Sequence, residues 1–448
     1  MVYRMTTIRQ STARGLVANS IALLAMNHLT SLLGYVFWVL CARSVDASVI
    51  GVANTVIGAM TLVGIVSVAG FIPLLPRVLP GASAEERSGL CSTALVVAVV
   101  VSGAAGGVAA LVLPNTVQAA LGTGCLVALM VAGSVGTAMM LVINGSLLGV
   151  RRAELSLLGS VVGALSRLGA VAVFLPVAVF TIGADTDAAH VILFGWVASL
   201  MLNFVLSLSL FVRATNDFRF HPRRIWVSRL RHLVPWDYVA TIAVRAPFYL
   251  VPIIAAAFFP PDQVGYLSMA AMISTAFFAV NAAVSNALLA DCADRPDRLR
   301  AQARRAVALI GVLLIPAVVI TCLLAPQILG IFGADYAHYS TLLVIGLLST
   351  LPDALVNVAV AVLRVQRRLV AVAAISVAGA SIGIGMSWLL MPHIGIIGAA
   401  WAALAAPTIV VTVLAAMGFF RWLINVRAAA SAARLRARVT EEPAMGIP

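Results

Sequence analysis

Cys125–Arg152 reads CLVALMVAGSVGTAMMLVINGSLLGVRR. Cys125–Leu148 contains 24 residues and no charge, and two arginines follow within four positions. A helix needs about 20 apolar residues to cross about 30 Å of hydrocarbon. The run is too long for a barrel strand of about ten residues and lacks period-two alternation. It predicts a membrane-spanning helix with cations at one end only.

The same pattern recurs along the chain. Twelve spans are predicted: Val17–Leu40, Val49–Leu75, Gly89–Leu113, Cys125–Leu148, Leu157–Phe180, Val191–Val212, Trp236–Phe259, Val264–Leu289, Val307–Ala325, Leu342–Leu363, Leu369–Leu390 and Ile396–Phe420. Hydrophobic residues make up 62% of the chain and charged residues 10%, with mean hydropathy +1.07. A water-soluble domain with that balance would lack the surface charge to stay dispersed. The expected fold class is therefore an all-α polytopic membrane protein.

There is no lysine, so all 29 basic residues are arginines. With twelve spans, 26 of them fall at one side of the membrane and only Arg43 at the other. Arg167 and Arg245 lie inside spans. The positive-inside rule puts the arginine-rich side, and both termini, in the cytoplasm. It makes this a multi-pass protein of the cytoplasmic membrane. The net charge of +13 then reflects topology and anionic lipid rather than nucleic acid.

The longest inner connection, Arg213–Pro235, separates spans six and seven. It divides the chain into an N-terminal six-helix lobe (1–216), a C-terminal six-helix lobe (217–424) and an arginine-rich cytoplasmic tail (425–448). Asp46 and Asp262 open equivalent turns 216 residues apart, and the pairs Arg151-Arg152 and Arg367-Arg368 are separated by the same interval. This spacing predicts a duplication whose halves share one orientation, related by an axis along the membrane normal.

Several chemistries are excluded. Without lysine there is no GxxxxGK[ST] loop, hence no conventional ATP-driven pump within the chain. The six histidines form no HExxH, and the five cysteines form no CxxC or metal-ligand spacing. The predicted outer loops are too short to carry an enzyme's acids. No enzyme activity and no resident cofactor or metal are expected.

Transport remains, and ionisable groups inside spans are the informative positions. Arg245 in span seven offers a planar guanidinium fork suited to phosphate oxygens. An ion pair with Asp353 of span ten is the alternative. Pro247 and Pro252 break the same helix, as in cavity-lining helices. Asp237, Asn27, His28, Asn54, Asn281 and Asn286 are further candidates for a polar cavity lining, with interhelical hydrogen bonding as the alternative. Arg167 and Asp353 are secondary candidates, with interhelical bonding or coupling as their other roles.

Three stretches carry a family likeness. Gly34–Pro80 (GYVFWVLCARSVDASVIGVANTVIGAMTLVGIVSVAGFIPLLPRVLP) has an aromatic helix end, a short acidic turn and an Arg-Val-Leu-Pro exit. Pro326–Arg368 (PQILGIFGADYAHYSTLLVIGLLSTLPDALVNVAVAVLRVQRR) places Pro, Phe-Gly and Tyr before a polar tenth span and a basic loop. Met391–Ala406 (MPHIGIIGAAWAALAA) resembles a Gly-Ile-x-Gly-Ala-Ala start to a twelfth helix. Together they resemble the multidrug/oligosaccharidyl-lipid/polysaccharide (MOP) exporter superfamily, and within it the polysaccharide-biosynthesis flippase branch.

That resemblance implies a V-shaped pair of six-helix lobes around a cavity lined by spans one, two, seven and eight. Arg245 would face the diphosphate of a polyprenyl-linked oligosaccharide and Arg167 would be peripheral. The implied function is translocation of that glycan for cell-surface polysaccharide synthesis by alternating access. Implied partners are membrane lipid, the lipid-linked glycan, and glycosyltransferases or a polymerase of the same pathway. The coupling ion, H+ or Na+, stays open. A cation-coupled exporter of drugs or metabolites, and a non-transporting scaffold of a glycan-synthesis complex, are the alternatives.

Overall fold

The computed structural model describes residues 29–181, 185–215, 218–223, 235–292 and 296–424. The described backbone is built from helices joined by short turns, as the apolar runs require. Hydrocarbon offers no partner to an exposed N–H or C=O, so each span must satisfy its own backbone.

The first lobe contains α1 (Leu29–Ser44), α2 (Ala47–Val68), α3 (Phe71–Val78), α4 (Ala84–Val112), α5 (Asn115–Leu121), α6 (Thr123–Gly149), α7 (Ala153–Thr181) and α8 (Asp185–Thr215). The second contains α9 (Pro235–Phe258), α10 (Pro261–Cys292), α11 (Leu299–Leu323), α12 (Ala325–Gly330), α13 (Ala334–Ala337), α14 (Ser340–Val365), α15 (Leu369–Ile394), α16 (Ile397–Ala416) and α17 (Phe419–Ile424). Among the described residues, 11 helices are long and apolar enough to cross a membrane. The described part of span one, α1, is shorter.

Two sequence expectations change. Val49–Leu75 is not one helix: it breaks at Ala69-Gly70 and restarts as α3. Pro73, near the start of α3, has no N–H to donate back across the break. Residues 218–223, numbered with the second lobe, lie instead on α4 of the first. The backbone N–H groups of Arg219, His221 and Arg223 donate to Ser88 Oγ (3.2 Å), Ser92 Oγ (3.0 Å) and Thr93 Oγ1 (2.8 Å). Arg223 also pairs with Glu85. The start of α4 is fixed by a capping box, in which Ser83 and Glu86 bond each other's backbone N–H.

The two arginine pairs share a backbone feature. Arg151 (φ 61°) and Arg367 (φ 58°) are the non-glycine residues with left-handed backbone among those described. They terminate α6 and α14 with the same bonds. Arg152 N–H reaches Leu147 O and Arg368 N–H reaches Leu363 O, both at 2.9 Å. This six-to-one closure is a Schellman cap, in which glycine normally occupies the left-handed position. The two positions are 216 residues apart.

The lobes meet where α2 packs on α9 and α10. Near the start of α2, a Cβ on Gly51 would fall 1.8 Å from Pro261 O, and one on Gly265 would fall 2.2 Å from Ala47 O. The two contacts map onto each other by one offset, since 261 and 265 each lie 214 beyond 47 and 51. Neither position has room for a side chain, and small residues at such crossings let backbones approach without a hydrophobic driving force.

Candidate functional site

The candidate site lies at the junction of α2, α9 and α10. Tyr238 on α9 donates its hydroxyl to Val66 O on α2 at 3.2 Å. Eleven residues on, the Tyr249 carbonyl lies 3.5 Å from the Cβ position of Gly58 on α2. At about 100° per residue, Tyr238, Arg245 and Tyr249 fall within about 40° of one another on the helix. Phe248, about 80° further round, meets Phe278 of α10 edge-on at 5.6 Å. Arg245 therefore projects between the direction of α2 and that of α10. Its side chain is exposed, and it makes no ion pair among the described residues.

α10 carries an exposed stripe. Thr275, Ala282 and Asn286 are exposed and share one face. That face lies between the side of α10 that meets α9 through Phe278 and the side that meets α2 through Gly265. Asn54, half-buried on α2, lies about 40–60° round from the Gly51–Gly58 line that faces α9 and α10. Arg245, Asn54 and Asn286 thus lie on the three junction helices, α9, α2 and α10, and Thr275 shares the exposed face of Asn286. The helical period of α10 is the sequence signal that groups Thr275 with Asn286.

Asn281 goes elsewhere. It is fully buried and turned into the second lobe, where its Nδ2 donates to Thr350 O (2.9 Å) and Asp353 Oδ2 (3.0 Å) on α14. Asn357 Nδ2 donates to the same Asp353 oxygen at 2.9 Å. Asp353 is thus held by two amides, and no ion pair joins it to Arg245 among the described residues. Asn281 Oδ1 and Ser285 Oγ beside it are buried without a hydrogen-bond partner. This amide–carboxylate cluster fastens α10 to α14, so the cavity-lining expectation for Asn281 is corrected.

Arg167 on α7 has the interhelical role that its alternative reading described. Its guanidinium carbon lies 3.7 Å from the centroid of Trp196 on α8 and 5.8 Å from that of Phe37 on α1. Its Nε donates to Ser199 Oγ at 3.3 Å. Phe37 and Trp196 also meet edge-on, at 5.7 Å. One cation joins three helices through two ring faces and a hydroxyl. Asn27, His28 and the Asp237 side chain lie outside the described residues, as does the tail 425–448.

The fold has solved counterparts over most of its length. An inward-facing multidrug resistance MATE family transporter of the MOP superfamily aligns with TM-score 0.68 at 13% identity, over 90% of this chain and 96% of that one. The lipid II flippase MurJ, in an inward closed conformation, aligns with TM-score 0.70 at 13% identity, over 89% and 87%. A MOP superfamily transporter from Pyrococcus furiosus aligns with TM-score 0.54 at 14% identity, over 90% and 94%. At these identities the likeness establishes the fold: this chain is a multi-pass helical protein with the architecture of MOP superfamily transporters. The named neighbours are transporters and flippases, not enzymes. No family model matches the sequence, and no curated protein matches it.

Proposed function

We propose that the protein is a flippase that moves a polyprenyl-diphosphate-linked oligosaccharide across the cytoplasmic membrane by alternating access. The observation that carries this reading is Arg245: an exposed guanidinium, without an ion pair among the described residues, at the junction of the two lobes. A charge inside a span costs a few kcal/mol, roughly 2.5–3.5 by insertion scales, unless water or a partner compensates it. A diphosphate entering the junction supplies that partner, and the guanidinium binds its oxygens in a bidentate fork. The apolar tail of the cargo stays in lipid while the head group passes between lobes. The likeness to MurJ, a lipid II flippase by its name, supports the choice of cargo class.

The arginine-rich end is assigned to the cytoplasm, so the cargo enters there and leaves at the arginine-poor end. Asn54, Thr275 and Asn286 hydrogen-bond the head group along the way. Glycosyltransferases or a polymerase of the same pathway would make and consume the cargo.

A second reading draws on the Asp353 cluster. A buried carboxylate beside the unpartnered Asn281 Oδ1 could take a proton or a small cation and so couple export of a different cargo. Vesicles containing the purified protein separate the two. The flippase reading expects transfer of a fluorescent polyprenyl-diphosphate sugar between leaflets, measured by quenching. Cation-driven uptake of a dye with no transfer of the lipid-linked sugar would replace it with the second reading.

A further inference from the structure

On the face of α9 that carries Arg245, an aromatic ring lies beside the charge. Phe248 follows Arg245 by three positions, so the two are neighbours on the helix surface, about 5–6 Å apart at Cβ. Phe248 is 46% exposed and meets Phe278 of α10 edge-on, with centroids 5.6 Å apart. α9 and α10 touch each other far less than either touches α2, so the ring pair is one of their few points of contact. Thr275 and Ala282, three residues before Phe278 and four after it, are small and exposed. These neighbours on α10 therefore leave the ring pair uncovered.

The order of these groups along the span fits one kind of molecule. α9 starts at the arginine-rich end, and its apolar span begins at Tyr238. Arg245 therefore lies about 10 Å into the span, and Phe248 about 4.5 Å deeper. An exposed guanidinium facing bulk hydrocarbon would be uncompensated, so this face borders water or a ligand. Read inward from the arginine-rich surface, it offers a cation and then a ring pair. An isoprenoid phosphate in that leaflet presents its own groups in the same order, an anion and then an apolar chain.

Chemistry selects among anions. A free phosphate or a nucleotide sugar would engage Arg245 and leave the rings exposed. A diacyl phospholipid carries a phosphate, but glycerol and ester groups separate it from the apolar chains. In an isoprenoid diphosphate the apolar carbon is bonded directly to a phosphate oxygen. That direct linkage matches a guanidinium and a ring only one helical turn apart.

We infer that Phe248 and Phe278 seat the first isoprene unit of an isoprenoid diphosphate whose phosphate is held by Arg245. The inference rests on the flippase reading and deepens it. The site reads the joint between lipid and phosphate, so cargoes with different sugars share one anchor. All three side chains belong to the second lobe, and the joint travels with that lobe.

The test measures binding to the full-length protein in dodecyl maltoside micelles, with farnesyl diphosphate, inorganic pyrophosphate, farnesol and dihexanoylphosphatidate as probes. The native protein binds farnesyl diphosphate at least tenfold more tightly than each of the other three. Phe248→Asn and Phe278→Ala each weaken farnesyl diphosphate roughly tenfold and leave pyrophosphate binding unchanged. Phe248→Leu, which keeps an apolar side chain, retains the preference and shows that the position tolerates substitution. Arg245→Ala weakens farnesyl diphosphate and pyrophosphate alike. Ring variants that keep the native preference, or phosphatidate binding as tightly as farnesyl diphosphate, would overturn this inference and leave the flippase reading standing. Native-like binding of both anions by Arg245→Ala would overturn the flippase reading and this inference with it.

Discussion

Arg245 and Arg167 show how one residue type takes two roles in similar surroundings. Both lie inside apolar spans, and both need a partner or water. Arg167 finds its partners within the protein, over Trp196 and beside Phe37 and Ser199. Arg245 has none of that kind among the described residues and is exposed at the junction. A cation–π contact of this geometry contributes about 0.5–2 kcal/mol. Arg167→Met and Trp196→Leu should therefore each lower the unfolding temperature, and the double variant should lose less than their sum. A double-mutant cycle on thermal unfolding checks this, and strict additivity would mean the contact contributes nothing. Sequence singled out both arginines because charges in spans are rare. It could not separate them, because Trp196 lies 29 positions from Arg167 and Phe37 lies 130 positions away, with no local spacing to link them.

At the level of elements, the spans were legible because hydrocarbon thickness sets their length and composition sets their edges. The break between α2 and α3 was not, because Ala69-Gly70 sits inside an unbroken apolar run. Asn281 and Asn286 illustrate the same limit. Five residues on a helix turn about 140° apart, so one faces the junction and the other faces α14. The sequence does not say which, because small polar residues are spread among apolar ones all round α10. The fold of residues 218–223 onto α4 was hidden too: it rests on backbone donors meeting Ser88, Ser92 and Thr93. The paired arginine caps were visible as a repeat of 216 positions but not as strained backbone. A non-glycine residue in the left-handed region costs about 1–3 kcal/mol. Arg151→Gly and Arg367→Gly should each raise the unfolding temperature by a few degrees without changing helix content by circular dichroism. A fall on either substitution would show that the arginine side chain outweighs its backbone strain.

For the whole molecule, two lobes touch through α2, α9 and α10 and are tied at one end by Gly51, Gly265 and Arg43. The two glycine contacts share one sequence offset, two residues short of the 216-residue spacing of the arginine caps. Interfaces without side chains repack easily, because no knob must leave a hole when the lobes rock. The same crossing closes the arginine-poor end, so Arg245 and the exposed stripe of α10 must be reached by another route in this arrangement. On the proposed reading that route opens to the cytoplasm, where the cargo is made. Opening the far end then requires Arg43 to leave Ile331 O.

The most direct measurement is translocation of a polyprenyl-diphosphate sugar in proteoliposomes, comparing the native protein with Arg245→Ala and Arg245→Lys. The account predicts a loss of at least tenfold for Arg245→Ala, since a charge-assisted bond of about 1.5–3 kcal/mol is removed. It predicts partial activity for Arg245→Lys, which keeps the charge and loses the planar fork. Full transport by a well-folded Arg245→Ala protein would contradict it.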